Sequence, residues 1–144
     1  MIEGLTNAGS LPVLERVMQF ASRRHGLIAH NVANLTTPGF RAADVSVDAF
    51  QASLREAIDV RREDAGAAGG RLDLADSRDV SVHDDHLQLH PEPTGRNILF
   101  QDGNDRDVER TMQDLVENFM VFRTAAQFMR DEYELINTAI RERV

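Results

Sequence analysis

The chain has 144 residues, no cysteine and a formal net charge of -8 at pH 7. That length bounds it to one structural unit. The missing cysteines exclude disulfides and thiolate metal sites, the acidic balance argues against a nucleic-acid partner, and no apolar run reaches the length of a membrane span.

In chain order, Met1 to Ser10 lacks the basic-then-apolar pattern of a secretory signal, so any export is expected by a route that does not use one. Ser10 is placed to cap a helix, with Pro12 tolerated in its first turn. Leu11, Leu14, Met18, Ala21, His25, Ile28, Val32 and Leu35 then follow alternately three and four apart. This spacing sets one residue per half-heptad on a seam that buries against another helix. It predicts a first helix running to about Leu35, about 37 Å long at 1.5 Å per residue. His25 on that seam reads as a polar residue helping to set register rather than as a pH switch.

Thr36-Thr37-Pro38-Gly39 ends the helix. Pro38 pushes Thr37 out of the helical region, and Gly39 permits the positive φ of a tight turn. Asn34 is expected to bond the frayed carbonyl end, and Phe40 to anchor the turn. Arg41 to Val47 reads as extended or irregular. Asp48 is expected to cap a short helix carrying Phe50, Leu54 and Ile58. Asp64-Ala65-Gly66-Ala67-Ala68-Gly69-Gly70 is a flexible linker by composition. Residues 71 to 101 are rich in Asp and His. Val80/Val82 and Ile98/Phe100 alternate weakly there and predict short strands.

Asp102-Gly103-Asn104 reads as a turn, with Asn104 or Asp105 capping a second long helix. Asp107 and Glu109 in its first turn, and Arg141 and Arg143 in its last, suit the helix dipole. The same three-four alternation links Val108, Met112, Leu115, Phe119, Phe122, Ala126, Met129, Tyr133, Ile136 and Ile140. This helix would be roughly 55 Å long. Ala21 and Ala126 mark where backbones are expected to approach most closely. The fold expected is therefore mainly α: long terminal helices paired as an antiparallel coiled-coil hairpin, around a small irregular or β middle. Its parts are 1–40, the N-terminal helix and turn; 41–101, the variable middle; and 102–144, the C-terminal helix. A rod of two helices has little core for its surface, so partner helices are expected to supply the missing burial.

Chemistry is sparse. His83, Asp84, Asp85, His86 and His90 form the cluster that most resembles a metal site. Its spacing matches no zinc signature, and it reads as a solvated loop. Asp73, Asp76, Asp79, Asp84 and Asp85 lack EF-hand spacing. No nucleophile elbow or phosphate-binding glycine loop occurs. No catalytic, cofactor-binding or metal residue is therefore assigned, and neither a cofactor nor a small-molecule substrate is expected. All sixteen basic residues are arginine, which reads as coding bias.

Asn31-Val-Ala-Asn34-Leu-Thr-Thr37-Pro38-Gly39-Phe40 resembles the signature of flagellar rod, hook and hook-associated proteins: a helix ending in an Asn-x-Ala-Asn-x-x-Thr-Pro-Gly-aromatic turn. Asp102-Gly103-Asn104, Asp107-Val-Glu109, Met112, Asn118 and Phe122, with the earlier His86-Leu87 pair, resemble the short proximal rod members of that family. Leu35 and Arg106 depart from the pattern, where the family often has Ala and a small or apolar residue. The resemblance implies a structural subunit of the rod, not an enzyme. Its implied partners are copies of itself, other rod proteins, the rod-base adaptor and the flagellar type III export gate. The implied location is the periplasmic rod of the basal body. The alternatives are a sister short rod protein and, from another class, a small metal-dependent enzyme using His83–His90.

Overall fold

The computed structural model describes residues 9–65, 72–83, 86–94 and 108–142. The elements are α1 (Leu11–Ala33), β1 (Ala43–Asp44), α2 (Val47–Ala65), β2 (Val80–His83), β3 (His86–Leu89), β4 (Glu92–Pro93) and α3 (Val108–Arg141). The chain is thus mainly helical, with long helices towards its two ends and small β elements between them. The predicted 102–104 turn, its cap at Asn104 or Asp105, Asp107, the Ile98/Phe100 strand, Gly66 to Gly70, Asp84, Asp85 and Arg143 lie outside the described residues.

Ser10 occupies the N-cap of α1, but its side chain makes no capping bond. The hydroxyl donates instead to Glu132 Oε1 of α3, 2.7 Å away. α2 begins at Val47, so Asp48 lies in its first turn rather than at its cap. Ser46 takes the capping role, its Oγ accepting from Ala49 N at 3.1 Å. A serine two residues earlier makes the same bond a capping Asp would. α2 also reaches Ala65, two residues into the stretch read as linker.

The short strand expected at Val80 and Val82 is present, and the His83–His90 stretch, expected as a loop, contributes a second strand that pairs with it in a β-hairpin. β2 and β3 pair antiparallel from Val80↔Leu89 to His83↔His86. Alternation explains it: Val80 and Leu87 point inward and are almost fully buried, while His83, His86 and His90 are exposed. β1 and β4 form a second antiparallel pair, with Ala43↔Pro93 and Asp44↔Glu92.

The core lies between α1, α2 and the hairpin. Phe20 stacks on Phe50 with ring centroids 4.0 Å apart and planes 4° from parallel. Val45, Leu54, Ala57, Leu72, Leu74, Val80 and Leu87 complete the buried cluster, and Val13 and Val17 pack against it. Each fully buried side chain of this size contributes about 1.5–3 kcal/mol. α1 therefore gives one face to this core and another to α3. Along α1, Ser10, Ala21 and Arg24 meet Glu132, Asn118 and Asp114 in turn.

Candidate assembly surface

The Thr-Pro-Gly turn is built by its own residues. Asn34 N donates to the His30 and Asn31 carbonyls at 3.2 Å, and its Nδ2 donates to His30 O at 2.9 Å. The frayed His30 and Asn31 carbonyls of the last helical turn are thereby satisfied. Thr37 N bonds Asn34 O at 2.9 Å, and Phe40 N bonds Thr37 O at 3.1 Å. Pro38 and Gly39 are the central pair of that last turn, and Gly39 has φ +72°. A proline followed by a residue of positive φ is the pattern of a type II turn. The Phe40 ring meets His30 edge-on, with centroids 5.8 Å apart.

Asn31 acts further along. It is buried on α1. Its Nδ2 donates to Ala43 O at 2.8 Å, and Ala43 N donates to its Oδ1 at 3.3 Å. The neighbouring Ala42 carbonyl accepts from Thr94 N at 3.0 Å. One edge of β1 is thus paired by β4 and the other by the Asn31 amide, so the amide stands in for a third strand.

Beside this joint, buried Arg24 forks onto Asp44, with Nε to Oδ1 at 3.0 Å and Nη2 to Oδ2 at 2.6 Å. Asp114 of α3 approaches the same Nη2 to 3.5 Å. Burial disfavours the guanidinium charge, but hydrogen bonds and the charges of Asp44 and Asp114 outweigh it. The Arg24 pKa is raised on balance. A cleft of about 690 Å³ opens here, lined among others by Arg24, Asp44, Arg78, Glu92 and Asp114. Arg78 is paired to Glu92, its Nε 2.7 Å from Oε1. The cleft is a charged seam between the β segment and α3.

α3 buries itself one residue away from the expected seam. Asn118 and Ala125 are its buried residues among those described, in place of Phe119 and Ala126. Thr111, Leu115, Phe122, Ala126, Met129, Glu132 and Ile136 are half-buried. Val108, Met112, Phe119, Tyr133 and Ile140 are exposed, Phe119 by 48%. Hydrophobic periodicity selects the large apolar side chains. The helices instead approach at small Ala125 and through Asn118 Nδ2, which donates to Ala21 O at 2.8 Å. That carbonyl has a second lone pair to offer beyond its helical bond.

α3 consequently carries two overlapping three-four stripes that share Leu115, Phe122, Met129 and Ile136. One stripe, through Asn118 and Ala125, faces α1. The other, through Met112, Phe119, Tyr133 and Ile140, faces outward. Val116, Met120, Val121, Phe128 and Leu135 widen the exposed apolar surface. Large contiguous patches of this kind mark interaction sites. On α1, the expected seam residues Leu11, Ala21 and Ile28 are buried, and Leu14, Met18 and Val32 half-buried; the helix ends at Ala33, so Leu35, also half-buried, lies in the turn beyond it rather than on the helix. His25 is exposed, at the rim of a shallow hollow with Ala21, Ser22, Asn118, Phe119 and Phe122.

The histidines divide by role. His83 and His86 face each other across the hairpin. His90 Nε2 lies 2.8 Å from Ser81 Oγ. Among the described residues no group of three or more His, Asp or Glu could hold a metal. Asp76 serves the backbone, its Oδ1 accepting from Val82 N at 2.9 Å. Sequence reasoning passed over Arg24, Asp44 and Asp114; a charged residue beside a seam was the available signal. Asn118 entered it only through resemblance. No helix among the described residues is long and apolar enough to cross a membrane.

Comparison with known proteins points one way. The chain is 28% identical over 145 residues to the flagellar basal body rod protein FlgB of Borrelia hermsii, covering 92% of this chain and 96% of that one. It is 24% identical over 135 residues to FlgB of Bacillus subtilis (strain 168), covering 92% and 94%. It is 24% identical over 123 residues to FlgB of Yersinia enterocolitica, covering 81% and 82%. No family model matches the chain.

Proposed function

We propose that the chain, similar over most of its length to flagellar basal body rod proteins FlgB, is a structural subunit of that kind without catalysis, and that it polymerises through its terminal helices into the proximal rod. The observation that carries the proposal is the doubled stripe on α3. A helix that turns one stripe, partly polar, to its own chain and keeps a second, apolar one exposed is suited to a multi-helix wall. The descending order of contacts, Glu132, Asn118, Asp114 against ascending Ser10, Ala21, Arg24, supports an antiparallel coiled-coil hairpin as the repeating unit.

In this reading the outward seam of α3 (Val108, Met112, Phe119, Tyr133, Ile140) meets neighbouring subunits, copies of itself or other rod proteins. The motif turn (Asn31, Asn34, Thr37, Pro38, Gly39, Phe40) fixes how the middle segment leaves α1 and aims it within the tube. The chain would pass unfolded through the flagellar type III export gate and assemble in the periplasm on the rod-base adaptor. Deleting its gene in the native host tests this. Loss of the rod and of motility, restored by the wild-type gene in trans, is expected; intact rods without it would overturn the proposal.

A further inference from the structure

We infer that the hollow between α1 and α3 is a seat for the Tyr133 side chain of a second copy of this chain. The inference rests on the rod reading and names the residue by which one subunit registers the next. The hollow has a volume of about 210 Å³ and is lined by Ala21, Ser22, His25, Asn118, Phe119 and Phe122. A cavity of about 150 Å³ holds a benzene ring, so one aromatic side chain has room here. Ala21, Phe119 and Phe122 give the hollow apolar walls, and exposed Ser22 and His25 keep its rim polar.

Asn118 selects the occupant. It is only 4% exposed. Its Nδ2 donates to Ala21 O at 2.8 Å. A carbonyl can only accept, so the amide orientation is fixed. Oδ1 is left as an acceptor with no hydrogen bond among the described residues. A buried acceptor without a partner is costly, and a donor entering the hollow would relieve that cost. The matching occupant has an apolar body and one donor at its tip, as Tyr and Trp do. The chain has no Trp and a single Tyr. That residue, Tyr133, is 48% exposed on the outward stripe of α3.

Tyr133 cannot fill the hollow of its own chain. It lies fifteen residues beyond Asn118 on one continuous helix, about 22 Å away at 1.5 Å per residue. A copy running in the same direction, displaced by about that length along α3, sets its Tyr133 over the hollow. Each copy then offers a seat to one neighbour and a ring to another. Such a head-to-tail contact propagates, where a twofold one would stop at a dimer.

Cross-linking in purified basal bodies tests the seat. The chain has no cysteine of its own. Ser22 and Asn137 are exposed, the first at the hollow and the second one turn beyond Tyr133. Ser22→Cys combined with Asn137→Cys therefore leaves Tyr133 and Asn118 in place. A short bis-maleimide should link copies of this double variant into dimers and longer species, and should link neither single variant. Tyr133→Phe keeps the ring and loses the donor. It should lower the amount of chain per basal body roughly 2- to 10-fold, the effect of one hydrogen bond, and Tyr133→Ala should lower it further. A double variant that is incorporated but not linked, or Tyr133→Ala incorporated at the wild-type level, would overturn the seat and leave the rod reading standing. So would links formed by either single variant, which mark a twofold contact. Absence of the wild-type chain from basal bodies would overturn both.

Discussion

Asn31 and Ala43 are joined twice, the amide nitrogen giving to the Ala43 carbonyl at 2.8 Å while the amide oxygen receives the Ala43 N–H at 3.3 Å. A side chain on α1 thereby completes the backbone pairing of β1, and the helix and outgoing chain are held in one geometry. Asn31→Ala leaves both Ala43 groups without that partner. It should destabilise the fold by about 1–3 kcal/mol. Asn31→Asp keeps the acceptor, loses the donor and adds a charge near Asp44, so it should cost at least as much. Thermal unfolding of the two variants measures this, and an unchanged midpoint for Asn31→Ala would remove Asn31 from the joint.

Arg24→Met should also destabilise. Breaking a buried pair costs about 3–5 kcal/mol, and the partial exposure of Asp44 and Asp114 places this case at or below the lower bound. Arg24→Lys should recover only part of the loss, because an ammonium cannot reproduce the two-point fork. The raised Arg24 pKa fixes the sign of the pH dependence. Stability from a raised group is fully present below its unfolded pKa and is lost as pH rises through the folded one. For an arginine raised further, that loss lies in strongly alkaline solution. Denaturant titrations across neutral pH should show no fall in the Arg24 contribution as pH rises.

Gly39→Val should impair assembly more than export. The residue sits at φ +72°, and no atom lies within 4 Å of a Cβ added there. The cost is therefore backbone strain alone, of order 1–3 kcal/mol. Gly39→Asn should be milder, since Asn tolerates this region. Secreted Gly39→Val protein that fails to enter basal bodies is expected. Normal incorporation would show that the turn needs no special backbone there.

His86→Ala combined with His90→Ala should be nearly silent, changing stability by less than about 0.5 kcal/mol, as exposed substitutions do. Motility should be unaffected. A stoichiometric metal ion on the purified wild-type chain, lost in this variant, would revive the metal-site reading.

The terminal helices were legible because heptad spacing reports burial against another helix whatever that helix is. Half of the α3 seam that this rule selects does not bury against α1. Periodicity ranks Phe119 over Asn118 and Tyr133 over Glu132, yet the chain brings its helices together at Asn118, Ala125 and Glu132. Polar side chains that meet a main-chain carbonyl or a distant serine leave no apolar signal. The hairpin at Val80–Leu89 was half visible, since Val80 and Val82 alternate, while intervening His and Asp residues suggested a loop. Gly39 could be read directly, because Pro-Gly specifies its turn locally. The Asn31–Ala43 and Arg24–Asp44 joints could not, because each depends on two segments that meet only after folding.

The central claim is that the exposed stripe of α3 builds the rod. The most direct measurement is the amount of this chain in basal bodies purified from cells expressing either wild type or Phe119→Asp. Phe119 is exposed in the single chain, so the charge should leave its circular dichroism and export unchanged. Against a neighbouring helix it would cost several kcal/mol unless paired. Wild-type chain should be present in fixed proportion to the hook, and Phe119→Asp absent. Basal bodies with complete rods and no wild-type chain, or with Phe119→Asp incorporated at the wild-type level, would contradict the account.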